Sequence, residues 1–134
     1  MSYLAGIKLL INLAKADGQI AEREKNFLIN IGRAHGVYPD EIYPLLTQRH
    51  ENFVPENLSD DEKFELLFSL IQLMKLDERM YKEEIAFCGQ VATRLGYDKN
   101  VMFEMLTQVK SAAMAPAEKQ ALKKLTSDYL RKSS

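Results

Sequence analysis

The chain has 134 residues, 18 bases against 19 acids, a formal net charge of −1, and is 46% hydrophobic and 28% charged. That length fits one domain and suffices to bury roughly two-thirds of the unfolded surface, so folding requires neither a disulfide nor a metal. The balanced charge excludes a global field that would gather nucleic acid, the lone Cys88 excludes an internal disulfide, and no apolar run reaches the ~18 residues of a membrane span.

Lys8, Asn12, Lys15, Gln72 and Lys75 interrupt the longest apolar stretches. The first eight residues lack the basic flank and cleavage site of a secretory leader. With a single thiol, which suits a reducing compartment, the chain is expected to be soluble and cytoplasmic.

Leu4, Ile7, Ile11 and Ala14 fall on one face of a first helix, and Leu9, Leu10 and Leu13 widen it. A second helix carries Phe27, Leu28, Ile31 and Ala34 and stops at Gly36, which suits the left-handed C′ position. Pro39 fits the first turn of a third helix bearing Ile42, Leu45 and Leu46. Gln48 to Ser59, containing Pro55, reads as a connection, and from Glu51 to Glu62 it holds five acids and no base. Ser59-Asp60-Asp61-Glu62 is a capping box that opens a fourth helix with Phe64, Leu67, Phe68, Ile71 and Met74. The first and fourth helices are apolar over so much of their circumference that both belong at the centre.

A fifth helix carries Phe87, Cys88, Val91 and Leu95 before Gly96. Asp98 is the expected N-cap of a sixth, with Val101, Met102, Met105, Leu106 and Val109. The last, about Pro116 to Arg131, presents Leu122, Leu125 and Tyr129. No stretch alternates as a strand does.

Shifted by 60 positions, the chain matches itself. Asp17 falls on Asp77, Glu24 on Glu84, Phe27 on Phe87, Gly36 on Gly96, Lys15 on Lys75 and Leu46 on Leu106. Apolar pairs such as Leu10 and Leu70, Ile31 and Val91, and Ile42 and Met102 keep the register. Each copy can then bury the apolar face of the other. The expected fold is all-α: a compact bundle of about seven helices, made of two pseudo-two-fold related three-helix repeats plus a C-terminal helix. Residues 1–134 form one domain, with repeat one about 2–50, the connection about 51–58, repeat two about 59–112 and the closing helix about 116–131.

The informative stretch is Ala16-Asp17-Gly18-Gln19-Ile20-Ala21-Glu22-Arg23-Glu24. Asp-Gly makes the turn, since glycine accepts positive φ. Ile20 points back to the core, and the turn can bring the Asp17 and Glu24 carboxylates together. Two such groups repel each other, and a divalent cation relieves the repulsion. Asp17, Gly18, Ile20 and Glu24 fit positions five, six, eight and twelve of an EF-hand loop, yet positions one and three would be Leu13 and Lys15, which cannot ligate calcium. The competing reading is local: Glu24 as N3 of a helix capped at Ala21, Glu84 likewise behind Tyr81, and Asp17 and Asp77 bonded to turn backbone.

The run from Leu9 to Ile20 with its Ala16-Asp17-Gly18-Gln19-Ile20, followed by Glu24 and Phe27, resembles the TerB-like (tellurite-resistance) domain family. The second copy keeps Asp77, Glu84 and Phe87, with Glu78 in place of the turn glycine. The resemblance implies a compact helical bundle with approximate internal two-fold symmetry and an acidic cluster that holds a metal ion. It carries no established catalytic activity, and it associates the chain with stress-response systems. The acidic positions it maps are Asp17, Glu24, Asp77 and Glu84. Ala21 stands where that family often has a serine N-cap.

Other candidates are weaker. His35 sits at a helix end, where positive charge suits the macrodipole. Neither it nor His50 has a paired ligand spacing. Cys88 matches Leu28 in the repeat and reads as a small buried apolar residue. From Lys110 onward six bases face only Glu118 and Asp128. That stretch is the solvated face of a helix, a dock for an acidic partner or anionic lipid, or a neighbour of the acidic connection. The resulting expectation is a non-enzymatic interaction or scaffold module with a protein partner, no nucleic acid, no organic cofactor, and a divalent cation at the acidic junction. The alternatives are a carboxylate- or metal-dependent enzyme and an adaptor that uses the basic last helix on a partner or membrane surface.

Overall fold

The computed structural model describes residues 3–16, 19–76, 82–111 and 113–130. Its helices are α1 (Leu4–Ala14), α2 (Glu22–Ala34), α3 (Pro39–Ile42), α4 (Asp60–Leu76), α5 (Lys82–Arg94), α6 (Val101–Gln108) and α7 (Pro116–Ser127). A 3-10 turn, Tyr43–Thr47, continues α3. The described residues form no strand, only an isolated antiparallel bridge between Tyr97 and Leu130. The fold is the all-α bundle that the periodicity implies.

α1 and α4 pack on each other at the centre, flanked by α2 and α5. On α4 every residue from Leu66 to Met74 is buried; on α1 only Lys8 and Asn12 interrupt the buried run from Gly6 to Ala14. A helix enclosed on all sides has to be apolar on all sides. Each enclosed aliphatic side chain contributes about 1.5–3 kcal/mol.

α2 and α5 begin and end 60 residues apart. Gly36 (φ 80°) and Gly96 (φ 100°) follow them. The next residues turn inward: Val37 N–H donates to Gly32 at 2.7 Å and Tyr97 N–H to Ala92 at 3.0 Å. Gly36 N–H reaches Arg33 and Gly96 N–H reaches Thr93. This pair of bonds is the Schellman motif. Val37 and Tyr97 are both buried.

Several local expectations change. The stripe α2 buries is Glu24, Leu28 and Gly32 rather than one centred on Phe27 and Ile31, which are half-buried, and Ala34 is exposed. On α5 the expected Cys88 and Val91 are buried, and Leu95 just beyond it, while Phe87 is half-buried and Glu84 and Ala92 join the stripe. α3 stops after one turn because Pro44 lacks an N–H and its ring crowds the preceding turn, which leaves Leu45 and Leu46 half-buried.

Asp98 is not the residue at the start of α6. Its carboxylate accepts the Asn100 N–H at 2.8 Å, and Asn100 is the N-cap. α7 ends at Ser127, where the chain turns. The buried positions of α7 are Leu122 and Thr126, while Leu125 is 40% exposed. The non-helical connection spans 48–59, the Gln48 to Ser59 stretch read from the sequence.

α7 packs against α6, and its lysines reach the start of α4. Lys119 pairs with Glu65 at 2.9 Å and stands 4.8 Å from the Phe68 ring centroid, and Lys123 pairs with Asp61. Asp98 N–H donates to the Tyr129 carbonyl at 2.7 Å.

Candidate functional site

Glu24 is only 5% exposed, and its Oε1 accepts the Ala21 N–H at 2.9 Å. Ala21 has no side-chain oxygen to return the bond, so only the glutamate half of a capping box is present. The same half-box recurs with Glu41 at Tyr38 and Glu118 at Ala115. At α4 both halves form, with Ser59 N–H to Glu62 at 3.0 Å and Glu62 N–H to Ser59 Oγ at 3.1 Å.

Glu84 is 3% exposed and faces Cys88. Burial, reinforced by the Glu84 charge, pushes the Cys88 thiol up to about 12. The two glutamates therefore occupy equivalent inward positions of α2 and α5. Asp17, Gly18, Asp77 and Tyr81 lie outside the described residues. Among the described residues no three His, Cys, Asp or Glu side chains converge as a cation cage.

A second set of polar contacts was not foreseen. Asn12 Nδ2 donates to the His50 carbonyl at 2.9 Å, and Gln72 Nε2 donates to the Lys110 carbonyl at 3.1 Å. The two donors lie 60 residues apart in the chain, and so do the two acceptors. Lys15 Nζ reaches the Gln48 carbonyl at 3.0 Å, and Lys75 Nζ reaches the carbonyls of Leu106 and Val109, the latter at 2.5 Å. In each copy, side chains on or just after the first helix thus meet backbone carbonyls at or just beyond the end of the third element. Burial lowers the pKa of the Lys75 ammonium. The match of Lys15 with Lys75 was visible in the sequence; the carbonyls they seek were not.

These contacts pin the connection. Asn12 also reaches Asn52 Oδ1 at 2.7 Å, Arg94 Nη1 donates to the Asn52 carbonyl at 2.7 Å, and the His50 ring bonds the Leu45 carbonyl at 2.8 Å. Phe53 N–H closes a tight turn on the Glu51 carbonyl at 2.9 Å. The Phe53 ring that follows this anchored segment is 61% exposed. It lines a groove of about 650 Å³ together with Leu4, Ala5, Lys8, Arg49 and Pro55. It also lines a trough of about 540 Å³ that includes Val54, Glu56, Lys63 and Arg94.

A smaller cleft, about 160 Å³, opens between Tyr3, His35 and Glu65. The Tyr3 and His35 rings stack with centroids 3.8 Å apart. Burial holds the His35 pKa below its ordinary value, with Glu65 acting the other way. His35 thus packs ring on ring at the end of α2. The Tyr3 hydroxyl is buried near Ser69 but outside hydrogen-bonding geometry, and burial raises it to about 12.

Of the six C-terminal bases, Lys110, Lys119 and Lys123 are held by Glu118, Glu65 and Asp61, and residues 131–134 lie outside the description. Met102 and Met105 are core residues, and Met114 packs half-buried against the core. No helix among the described residues is long and apolar enough to cross a membrane. No family model, no curated protein and no solved structure matches the chain.

Proposed function

We propose that this chain is a non-enzymatic interaction module of TerB-like type, and that the pinned connection around Phe53 is its docking surface. The observation that carries the reading is Phe53. A large aromatic ring is held in solvent by a segment anchored from α1 and from α5. Rigidly presented aromatics between concave surfaces are the usual energetic centres of protein interfaces, because little ordering entropy is lost when they are covered. A carboxylate-dependent enzyme would instead ask for acids converging in an open pocket. Glu24 and Glu84 sit on the inward faces of α2 and α5.

A photo-crosslinking residue at position 53, expressed in cells, is expected to trap a discrete protein partner. The same residue at position 103, where Phe103 is 74% exposed, serves as the control. Identical adducts from both positions would end the docking assignment.

The TerB-like reading also includes a divalent cation held by Asp17 and Glu24, with Asp77 and Glu84 as their counterparts. Thermal melting with millimolar Ca²⁺, Mg²⁺, Mn²⁺ or Zn²⁺ is expected to raise Tm, and Asp17→Asn is expected to abolish the rise. A flat response in the native chain removes the cation while leaving the docking surface to its own test.

A further inference from the structure

We infer that the two hollows flanking Phe53 receive one extended acidic peptide, an apolar side chain of which packs on the Phe53 ring while its carboxylates meet cations on either side. This rests on the docking reading above and adds the chemistry of the partner. The cations are Lys8 and Arg49 in one hollow and Lys63 and Arg94 in the other. Among the described residues neither Lys8 nor Arg49 is ion-paired, although acids are abundant in this chain. Lys63 reaches Asp60 only at 4.0 Å, and Arg94 uses one of its five donors on the Asn52 carbonyl.

Glu51 and Glu56 line the hollows too, but the cations outnumber them. The contrast with α7 is informative, because there Lys110, Lys119 and Lys123 are matched by acids of the chain itself. Around Phe53 the positive charge is left for a visitor. Charge of this kind sets partner choice and encounter rate, and the aromatic anchor supplies affinity. A lipid bilayer is disfavoured as the occupant. Lys8 is half-buried inside a concavity that a flat surface does not enter, and Glu51 and Glu56 are exposed toward such a surface. Phe53 and Pro55 line both hollows, so one chain laid over the ring reaches both.

The test is to pan a random-peptide display library on the full chain and to titrate the enriched peptide, made synthetically with a fluorophore, by anisotropy. Enriched sequences are expected to combine Asp or Glu with a large apolar residue and to bind more weakly as salt rises. Arg49→Glu and Phe53→Ala should each weaken binding roughly tenfold or more, while Lys124→Glu and Phe103→Ala leave it unchanged. All four positions are exposed, so circular dichroism should report folded variants.

Neutral or basic enriched peptides, indifference to Arg49→Glu, or no enrichment would each overturn the proposal. So would binding to phosphatidylserine vesicles that Arg49→Glu abolishes in the absence of any peptide ligand. If position 53 still crosslinks a partner in cells while the acidic peptide fails, only the partner chemistry falls. If both fail, the docking surface falls with it.

Discussion

At the scale of single residues, the two helical glycines of the outer helices make opposite demands. A Cβ on Gly32 would overlap the Ile42 side chain and lie 2.8 Å from the Val37 carbonyl oxygen. That oxygen belongs to the turn held by the Schellman bonds and has no room to give. A Cβ on Gly89 would meet nothing nearer than Met102 Cγ at 4.0 Å. Gly32→Ala is therefore expected to destabilise the fold by about 1–3 kcal/mol, and Gly89→Ala to stabilise it by about 0.5–1 kcal/mol. Urea denaturation of the two variants checks both signs. The sequence does not separate these glycines. The counterpart of Gly32 in the second copy is Ala92, so close approach of the third element is peculiar to the first copy.

At the scale of elements, helix ends and the donors that close them decide local stability. Glu62 is held below the ordinary carboxylate range by its hydrogen bonds from Ser59. A depressed carboxylate contributes stability that is present above its unfolded value of 4.5 and is lost as pH falls through its folded value. Ser59→Ala should lower the melting temperature at neutral pH, and the deficit should shrink on acidification. Melts followed by circular dichroism from neutral pH downward check this.

The lysine clamps behave differently from each other. Lys75→Met leaves the Leu106 and Val109 carbonyls without their donor in a part-buried place and should cost about 1–3 kcal/mol. Lys15→Met removes an exposed bond and should cost less. Equal effects in chemical denaturation would mean that the two clamps are not distinguished by burial.

At the scale of the whole molecule, burial of ionisable groups sets the alkaline limit. Cys88, Tyr3 and Tyr97 are all pushed up to about 12, from ordinary values of 9.0 for the thiol and 10.0 for the phenols. In each case burial is the leading cause. A raised group contributes stability that is complete below its unfolded value and lost as pH climbs toward its folded one. The fold is thus expected to lose stability steeply between pH 9 and 12, and Cys88→Ala should make the loss shallower. The same burial shields the thiol. Iodoacetamide should modify Cys88 only at the rate of unfolding, so that alkylation accelerates with urea in parallel with loss of helicity. Rapid modification of the native chain would place Cys88 outside the core.

The all-α class, the central pair of apolar helices, the glycine stops and the 60-residue repeat were determined by the sequence alone. Each follows from a local or periodic rule: a 3.6-residue apolar face, a left-handed residue that only glycine adopts cheaply, a register shared by two segments. Glu24 was legible as a helix-start glutamate for the same reason, since its partner, Ala21, lies three residues away.

The groove beside Phe53, the pinned connection, the pairing of Lys119 and Lys123 with α4, and the exposure of Leu125 were decided only by the tertiary structure. They depend on which side chains meet across tens of residues, as Asn12 meets His50 and Arg94 meets Asn52. A backbone carbonyl left open at the end of a helix has no letter in the sequence, and so the donor that answers it cannot be recognised until the chain has folded around both.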